Sequence, residues 1–507
     1  MALLLGLDIG TTSTIGILID GAGGIRATAS RPSELISKHP NWAEEDPALW
    51  WANVTEIVPE LLAQAGAAAA EIAGIGVTGM VPTVILLDEA RRPLRFSIQQ
   101  NDARAVEEIE EMRRAIAPED FFARTGGSIN QQLVAPTLRW LERHEPETLA
   151  EARTVLGSYD HITARLTGGL SVEQNWALES GFMDLAAGRL DEELVALGGL
   201  PFDSLPPLRA SHEVVGEVTA EAAAATGLKA GTPVVAGCAD HIASAFVAGA
   251  SADGDLVVKF GGAGDIMLSC STAVTDPRLF IDFHIVPGLY FTNGCMAASG
   301  SVLNWIAKHL AKAEAAEAEA EGLSVHAFLD RQAGDLPPGA GGVVLLPYFL
   351  GEKTPLHDPH ARGTLVGLGL HHGLPHVWRA ALEAVAFGFR HHTEVFAEMG
   401  LATRRVLACD GGAASDLWLQ ITADVLEQPV QRLLNHPGSC LGAAFVAGMG
   451  VGTLTDWGAI SDYVQPERTF EPSATGPEVY REAYGLYRET YDRLRDLYPR
   501  LGKLPPA

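Results

Sequence analysis

One pattern constrains this chain more than any other. A continuous apolar run, a turn of glycine and small hydroxyl residues, and a second apolar run occur at residues 3–8, Gly10-Thr11-Thr12-Ser13-Thr14 and 15–19. The same order returns at 256–260, Gly261-Gly262-Ala263-Gly264-Asp265 and 266–269. Apolar runs of this length suit buried strands. The two copies lie much farther apart than solenoid repeats do, so two similarly built domains are expected rather than an array. A third turn of this type, Asp410-Gly411-Gly412-Ala413-Ala414-Ser415, follows a run at 406–409 and leads into a helix from Leu417.

Elsewhere strands and helices alternate. Glu44-Glu45-Asp46-Pro47 introduces an amphipathic helix over 47–64, with acids and proline at its start. A strand over 72–77 ends in Thr78-Gly79, and 84–88 pairs as the next. Such alternation means layered α/β domains. The small, polar stretch Gly249-Ala250-Ser251-Ala252-Asp253-Gly254 marks the boundary, giving domains 1–249 and 250–507. The Ala/Glu-rich segment 312–321 reads as a solvated helix without chemistry.

Composition removes several function classes. With 507 residues, 47% hydrophobic and 20% charged, the chain has ample material for more than one core and is not a disordered polymer. Lys+Arg 36 against Asp+Glu 63 leaves a net charge of −27. That balance gives no general attraction for nucleic acid or an anionic membrane. A polyanion such as ATP would have to be held locally, by backbone amides, helix N-termini and a divalent cation. No apolar run is long enough to cross a bilayer, and the N-terminus lacks the basic flank of a signal peptide. Five scattered cysteines without a CxxC pair indicate reduced thiols, hence a cytoplasmic protein.

Common phosphate-binding motifs are missing: there is no GxxxxGK[ST] and no protein-kinase set. Three Gly-rich turns directly after buried strands can serve instead, because their N–H groups and hydroxyls approach a phosphate unobstructed. Asp8, ending the first strand, is read equally well as a turn cap or as a ligand to Mg²⁺ beside ATP phosphates. Asp240 stands between apolar segments in Val234-Val235-Ala236-Gly237-Cys238-Ala239-Asp240-His241, where a strand meets a helix over 242–247. An ionisable group there must be solvated or paired, which makes it a candidate base facing a cleft. His241 reads as a surface or packing histidine. No hydrolase triad or zinc-ligand spacing is present.

Taken together, these motifs resemble the FGGY carbohydrate kinases of the actin/sugar-kinase/chaperone ATPase superfamily, over nearly the whole length. Leu5-Gly6-Leu7-Asp8-Ile9-Gly10-Thr11-Thr12-Ser13-Thr14 is similar to the family's first phosphate motif, and Trp42-Ala43-Glu44-Glu45-Asp46-Pro47 to its xylulokinase-like branch. Gly237-Cys238-Ala239-Asp240-His241-Ile242-Ala243 resembles the catalytic segment, and residues 260–265 the second phosphate motif. Gly351-Glu352-Lys353-Thr354-Pro355 is a further family marker, and 410–416 with Gly442-Ala443-Ala444 resembles the adenosine motif. The resemblance implies two RNase H-like α/β domains flanking a cleft, with sugar on the N-terminal side and ATP largely on the C-terminal side. It implies Asp240 as the base that deprotonates a sugar hydroxyl, and Asp8 as the metal site for Mg²⁺. Thr11, Thr12 and Ser13 would contact phosphate, with Gly262 in the second phosphate turn. Gly300, Asn304, Gly412 and Asp416 would lie along the nucleotide.

Departures concentrate at the sugar. Met80-Val81-Pro82-Thr83 stands where xylulokinases usually carry Gln-Met-His-Gly, so an imidazole is lost and the wall becomes more apolar. Met80, Val81, Pro82 and Asp102 are the expected sugar contacts, although Asp102 also reads as an N-cap for a helix near Ala103. Gly262-Ala263 replaces a usual Thr-Ser pair, removing two hydroxyl donors. The expected activity is ATP-dependent phosphorylation of D-xylulose. Alternatives are another pentulose, a deoxyketose or a tetritol (ribulose, erythritol), a non-kinase ATPase or regulator, and a binding-only relative. Expected partners are a small sugar and ATP, without nucleic acid or membrane; a homodimer is left open.

Overall fold

The computed structural model describes residues 2–433 and 436–504. Met1 and residues 505–507, the outer ends of the two expected domains, lie outside the described residues. The chain forms two compact units, one of Met1–Ser251, Ile281–Tyr290 and Pro437–Tyr463, the other of Ala252–Phe280, Phe291–His436 and Val464–Ala507.

In the first unit, strands Leu3–Ile9 and Ser13–Asp20 form an antiparallel hairpin, with Ile9 opposite Thr14. Strand Ile25–Pro32 extends it on the outer side. Helix Pro47–Ala65 then carries the chain to strand Ile72–Gly79, which pairs parallel with the first strand. Asp46 caps that helix by accepting the Ala48 N–H at 2.9 Å, and Gly66 closes it in the left-handed conformation. Trp50, Val54, Ile57, Val58 and Leu61 form its buried stripe, at the spacing of one helix face. Pro233–Val235 and Val214–Glu217 complete the sheet order on the far edge.

The second unit repeats this plan. Asp255–Phe260 and Gly264–Cys270 form a hairpin with Phe260 opposite Gly264. Arg405–Cys409 pairs parallel with the first of these, Val430–Arg432 parallel with Arg405–Cys409, and Arg468–Phe470 antiparallel at the edge. The two sheets share an order of six strands, with Phe280–Phe283 added beyond Tyr290–Met296 in the second, which explains why the sequence shows its hairpin pattern twice. Both units are RNase H-like α/β domains. Among the described residues no helix is long and apolar enough to cross a membrane.

Some local expectations shift. Ile85–Leu87 pairs with Thr154–Leu156 in a separate two-stranded ribbon instead of continuing the main sheet. The helix expected near Ala103 begins at Val106. Helix Ser439–Gly450 packs on strands Leu3–Ile9 and Ile72–Gly79 at backbone contact. A Cβ on Gly6 would lie 2.0 Å from the Cys440 carbonyl oxygen, and one on Gly76 would lie 2.1 Å from that of Ala443. Only glycine permits this approach.

Candidate active site

Within the first unit, Asp8 lies at the end of a fully buried strand and is itself buried. Ser439, the first residue of its helix, donates Oγ–H to Asp8 Oδ2 at 2.6 Å, while Asp8 Oδ1 is buried without a hydrogen-bond partner among the described residues. Burial, reinforced by the charge of Asp240, pushes the Asp8 carboxyl up to about 7, against the Ser439 hydrogen bond. A buried carboxylate oxygen without a donor among the described residues, in the field of a second acid, is the kind of group that a hard divalent cation satisfies. In the adjoining turn, Thr11 Oγ1 donates to Met80 Sδ at 3.0 Å. The Gly10 N–H meets the Ser13 carbonyl at 3.0 Å, and Thr12 is exposed.

Asp240 opens helix Asp240–Val247 after the short strand Cys238–Ala239. The break before it needs Gly237, at φ +94°, where a Cβ would sit 2.1 Å from the Val77 carbonyl oxygen. The Asp240 side chain is 34% exposed, and its Oδ1 accepts the His241 N–H at 2.6 Å. No donor among the described residues takes Oδ2. Gly442 lies against this helix, where a Cβ would meet the Ala243 carbonyl oxygen at 2.9 Å. Gly442 and Ala443 are therefore spacers that bring the Asp240 helix and strand Ile72–Gly79 close to helix Ser439–Gly450.

His241 departs from the reading of a surface or packing histidine. Its Nε2 lies 3.5 Å from Asp282 Oδ2 and 3.8 Å from Glu179 Oε1. Burial alone would push the imidazole down, but Glu179, Asp240 and Asp282 outweigh it and hold the group well above its ordinary value. Sequence reading missed Glu179 and Asp282 because neither stands near Asp240 in the chain.

The expected sugar wall is closed in by neighbours. Met80, Val81 and Pro82 are buried; Ser158 Oγ donates to the Met80 carbonyl at 2.8 Å, and Trp176 Nε1 to that of Thr83 at 2.9 Å. Asp102 is saturated internally. It accepts the Ala43 N–H at 2.6 Å and the Arg104 N–H at 3.0 Å, and it holds the Arg104 guanidinium through both oxygens at 2.8 and 2.9 Å.

The second unit holds a cavity of about 570 Å³, within the range of small-molecule sites. Gly262, Gly300, Asn304 and Gly412 all line it, with Phe260, Trp378 and Trp418 supplying apolar surface. Gly300 must be glycine, since a Cβ would lie 2.7 Å from the Gly261 carbonyl oxygen. At Gly412 the constraint is internal packing: a Cβ would collide with Trp418 at 2.6 Å and Phe260 at 2.8 Å. Ser299 and Ser301, where helix Gly300–His309 begins, each keep a buried hydroxyl without a partner among the described residues. His326 and Asp330 also line the cavity, unforeseen from the sequence; His326 Nε2 lies 3.0 Å from Asn304 Oδ1. Asp416 is not a lining residue, and its carboxylate is engaged by Arg432 and Arg468.

Comparison with known proteins agrees with this architecture. The model of the FGGY family of carbohydrate kinases, N-terminal domain, matches residues 3–247, and that of the C-terminal domain matches 272–451. The crystal structure of xylulose kinase from Rhodospirillum rubrum superposes with a TM-score of 0.93 at 50% identity, covering 98% of this chain and 99% of that one. A xylulose kinase of Bacillus subtilis is 28% identical over 489 residues, covering 96% of each chain. A glycerol kinase of Nocardia farcinica is 30% identical over 468 residues, covering 88% of this chain and 89% of its own.

Proposed function

Because the chain belongs to the FGGY family of carbohydrate kinases, we propose that it transfers the γ-phosphoryl group of ATP to a hydroxyl of D-xylulose, yielding D-xylulose 5-phosphate and ADP. The observation that carries this reading is Asp240: a partly exposed carboxylate at a helix start, with no donor to Oδ2 and no lysine or arginine paired to it among the described residues. Asp240 accepts the proton of the sugar hydroxyl while that oxygen forms a bond to the γ-phosphorus and the bond to the ADP oxygen breaks. Phosphoryl transfer asks the protein mainly for positioning and charge neutralisation, so no covalent intermediate is needed.

The remaining assignments follow the donor sets. The cavity of the second unit takes the adenosine, with Gly262, Gly300, Asn304 and Gly412 on its walls. Thr11, Thr12 and Ser13 offer hydroxyls and N–H groups to phosphate oxygens. Asp8, with its unpartnered Oδ1, would hold Mg²⁺, which neutralises phosphate charge when bound. Met80, Val81 and Pro82, buried behind Ser158 and Trp176, back the sugar site without offering it a polar side chain. Asp102 contributes by fixing the Arg104 segment, and Asp416 by fixing the strand edge at Arg432 and Arg468.

The buried Val81-Pro82 wall favours a second substrate reading, in which the sugar lacks or relocates one hydroxyl. A pocket that offers no polar partner discriminates weakly for that group. Another pentulose, a deoxyketose or a tetritol such as erythritol then becomes the acceptor. An ADP-release screen over ketopentoses, deoxyketoses and tetritols separates the two, with D-xylulose expected to turn over fastest. Asp240→Ala should lower sugar-dependent ADP release by a factor of about 100 or more while ATP binding persists. Retained turnover in that variant would remove Asp240 as the base.

A further inference from the structure

His241 has no part in the reaction described above, yet it is surrounded by more carboxylates than a packing histidine requires. Nε2 faces Asp282 Oδ2 at 3.5 Å and Glu179 Oε1 at 3.8 Å, while Nδ1 lies 3.6 Å from Asp240 Oδ1. A neutral imidazole has one N–H and could serve acids at only one nitrogen; acids at both nitrogens are matched by the imidazolium. The ring thus stands as a cation between the candidate base and two further acids.

That placement is built by separate elements. Glu179 ends helix Gln174–Glu179, and Asp282 comes from strand Phe280–Phe283. Asn175, on the same helix as Glu179, clamps the backbone beside Asp282. It donates Nδ2–H to the Phe283 carbonyl at 3.0 Å and accepts the Phe283 N–H at 2.7 Å. The excursion Ile281–Tyr290, which joins the first unit, thereby delivers a buried carboxylate to the His241 ring. Glu173, on whose oxygens Tyr159, Ser211 and the Asn175 N–H converge at 2.8–3.0 Å, anchors the start of this helix.

We propose that His241, charged and oriented by Asp282 and Glu179, is a positioning residue that holds Asp240 Oδ1 and leaves Oδ2 for the sugar hydroxyl. The proposal rests on Asp240 being the base. The groups facing the ring are Glu179, Asp282 and Asp240, with Glu173 acting on Glu179 and Asp8 on Asp240 through space. Loss of the ring charge should leave Asp240 Oδ1 to the His241 N–H alone, loosening the orientation of the carboxylate and lowering the turnover number while nucleotide binding is unaffected.

The test is steady-state kinetics of the intact enzyme with MgATP and D-xylulose, or the best acceptor of the screen, from about pH 6 to about pH 9. His241→Ala should lower kcat about 10- to 100-fold with KM for ATP unchanged, and His241→Asn should recover part of it by restoring a donor. Asp282→Asn removes one charge that sustains the imidazolium, so the alkaline limb of kcat should move down by about one pH unit with the acid limb in place. Glu179→Gln gives the same reading if the Asp282 variant does not fold. An unchanged kcat in His241→Ala, or an alkaline limb unmoved in both acid variants, overturns the positioning role. Asp240→Ala run in parallel keeps the two claims apart. Its retained activity would sink the base assignment, whereas its loss beside an unmoved alkaline limb sinks only the role of His241.

Discussion

Asp8 carries a conflict that a single side chain cannot resolve. One oxygen is fixed by Ser439, the other is buried without a donor, and the Asp240 charge opposes its ionisation. With the carboxyl pushed up to about 7, a proton and a cation compete for it near neutrality. Below pH 7 the apparent Mg²⁺ affinity in sugar-dependent ADP release should fall on the order of tenfold per pH unit, flattening above about pH 8. Asp8→Asn should abolish that pH dependence and leave nucleotide binding without Mg²⁺ intact. A magnesium titration that is flat from pH 6 to pH 8 in the unaltered enzyme would refute the assignment. From the residues alone Asp8 reads equally as a turn cap or a metal ligand and Asp240 as a candidate base, and the family resemblance is what turns both toward the reaction. His241 was not readable, since its surroundings depend on Glu179 and Asp282, which only tertiary structure brings to it. Asp102 and Asp416 show the converse: acids in suggestive motifs whose oxygens are taken up by neighbouring arginines.

At the scale of elements, close approach sets the positions of the candidate residues. Helix Ser439–Gly450 contacts two strands and the Asp240 helix through glycines and alanines, so its distance from the sheet is fixed by backbone atoms that cannot yield. Gly6→Ala or Gly76→Ala should therefore destabilise the protein by about 3 kcal/mol, read as a lowered urea midpoint. Gly485→Ala is the contrast: it lies inside helix Gly476–Leu494 with nothing within 4 Å of the added Cβ. That change should stabilise by about 0.5–1 kcal/mol. Equal effects at Gly6 and Gly485 would refute the packing argument. Hairpins, capped helices and the parallel crossover were legible because each leaves a local period or turn in the sequence. The seat of helix Ser439–Gly450 on the strands near residue 6 was not, because small residues mark close packing without saying against what.

For the whole molecule, buried titratable groups set how stability responds to pH. Burial pushes Asp8, Glu45, Glu173, Glu352 and Glu383 up to about 7. From about pH 4 to 7 the native state thus holds protons that the unfolded chain has released, and stability from this source falls as pH rises. Burial also pushes His161, His284 and His391 down to about 3 and His392 to about 4. Those imidazoles stay neutral in the native state while the unfolded chain takes protons below about pH 6.5, so their contribution rises with pH. The two sets oppose each other through the acid range and nearly cancel. Above pH 6.5 these four imidazoles no longer respond, the carboxyls are still losing protons, and the net charge of −27 adds repulsion in the same direction. Without nucleotide or divalent cation, stability should therefore fall by on the order of 3 kcal/mol between pH 6 and pH 8. Urea midpoints at pH 6, 7 and 8 measure this directly. A midpoint that rises across that interval would mean the buried carboxyls are already ionised at pH 6, held by partners stronger than the hydrogen bonds around them.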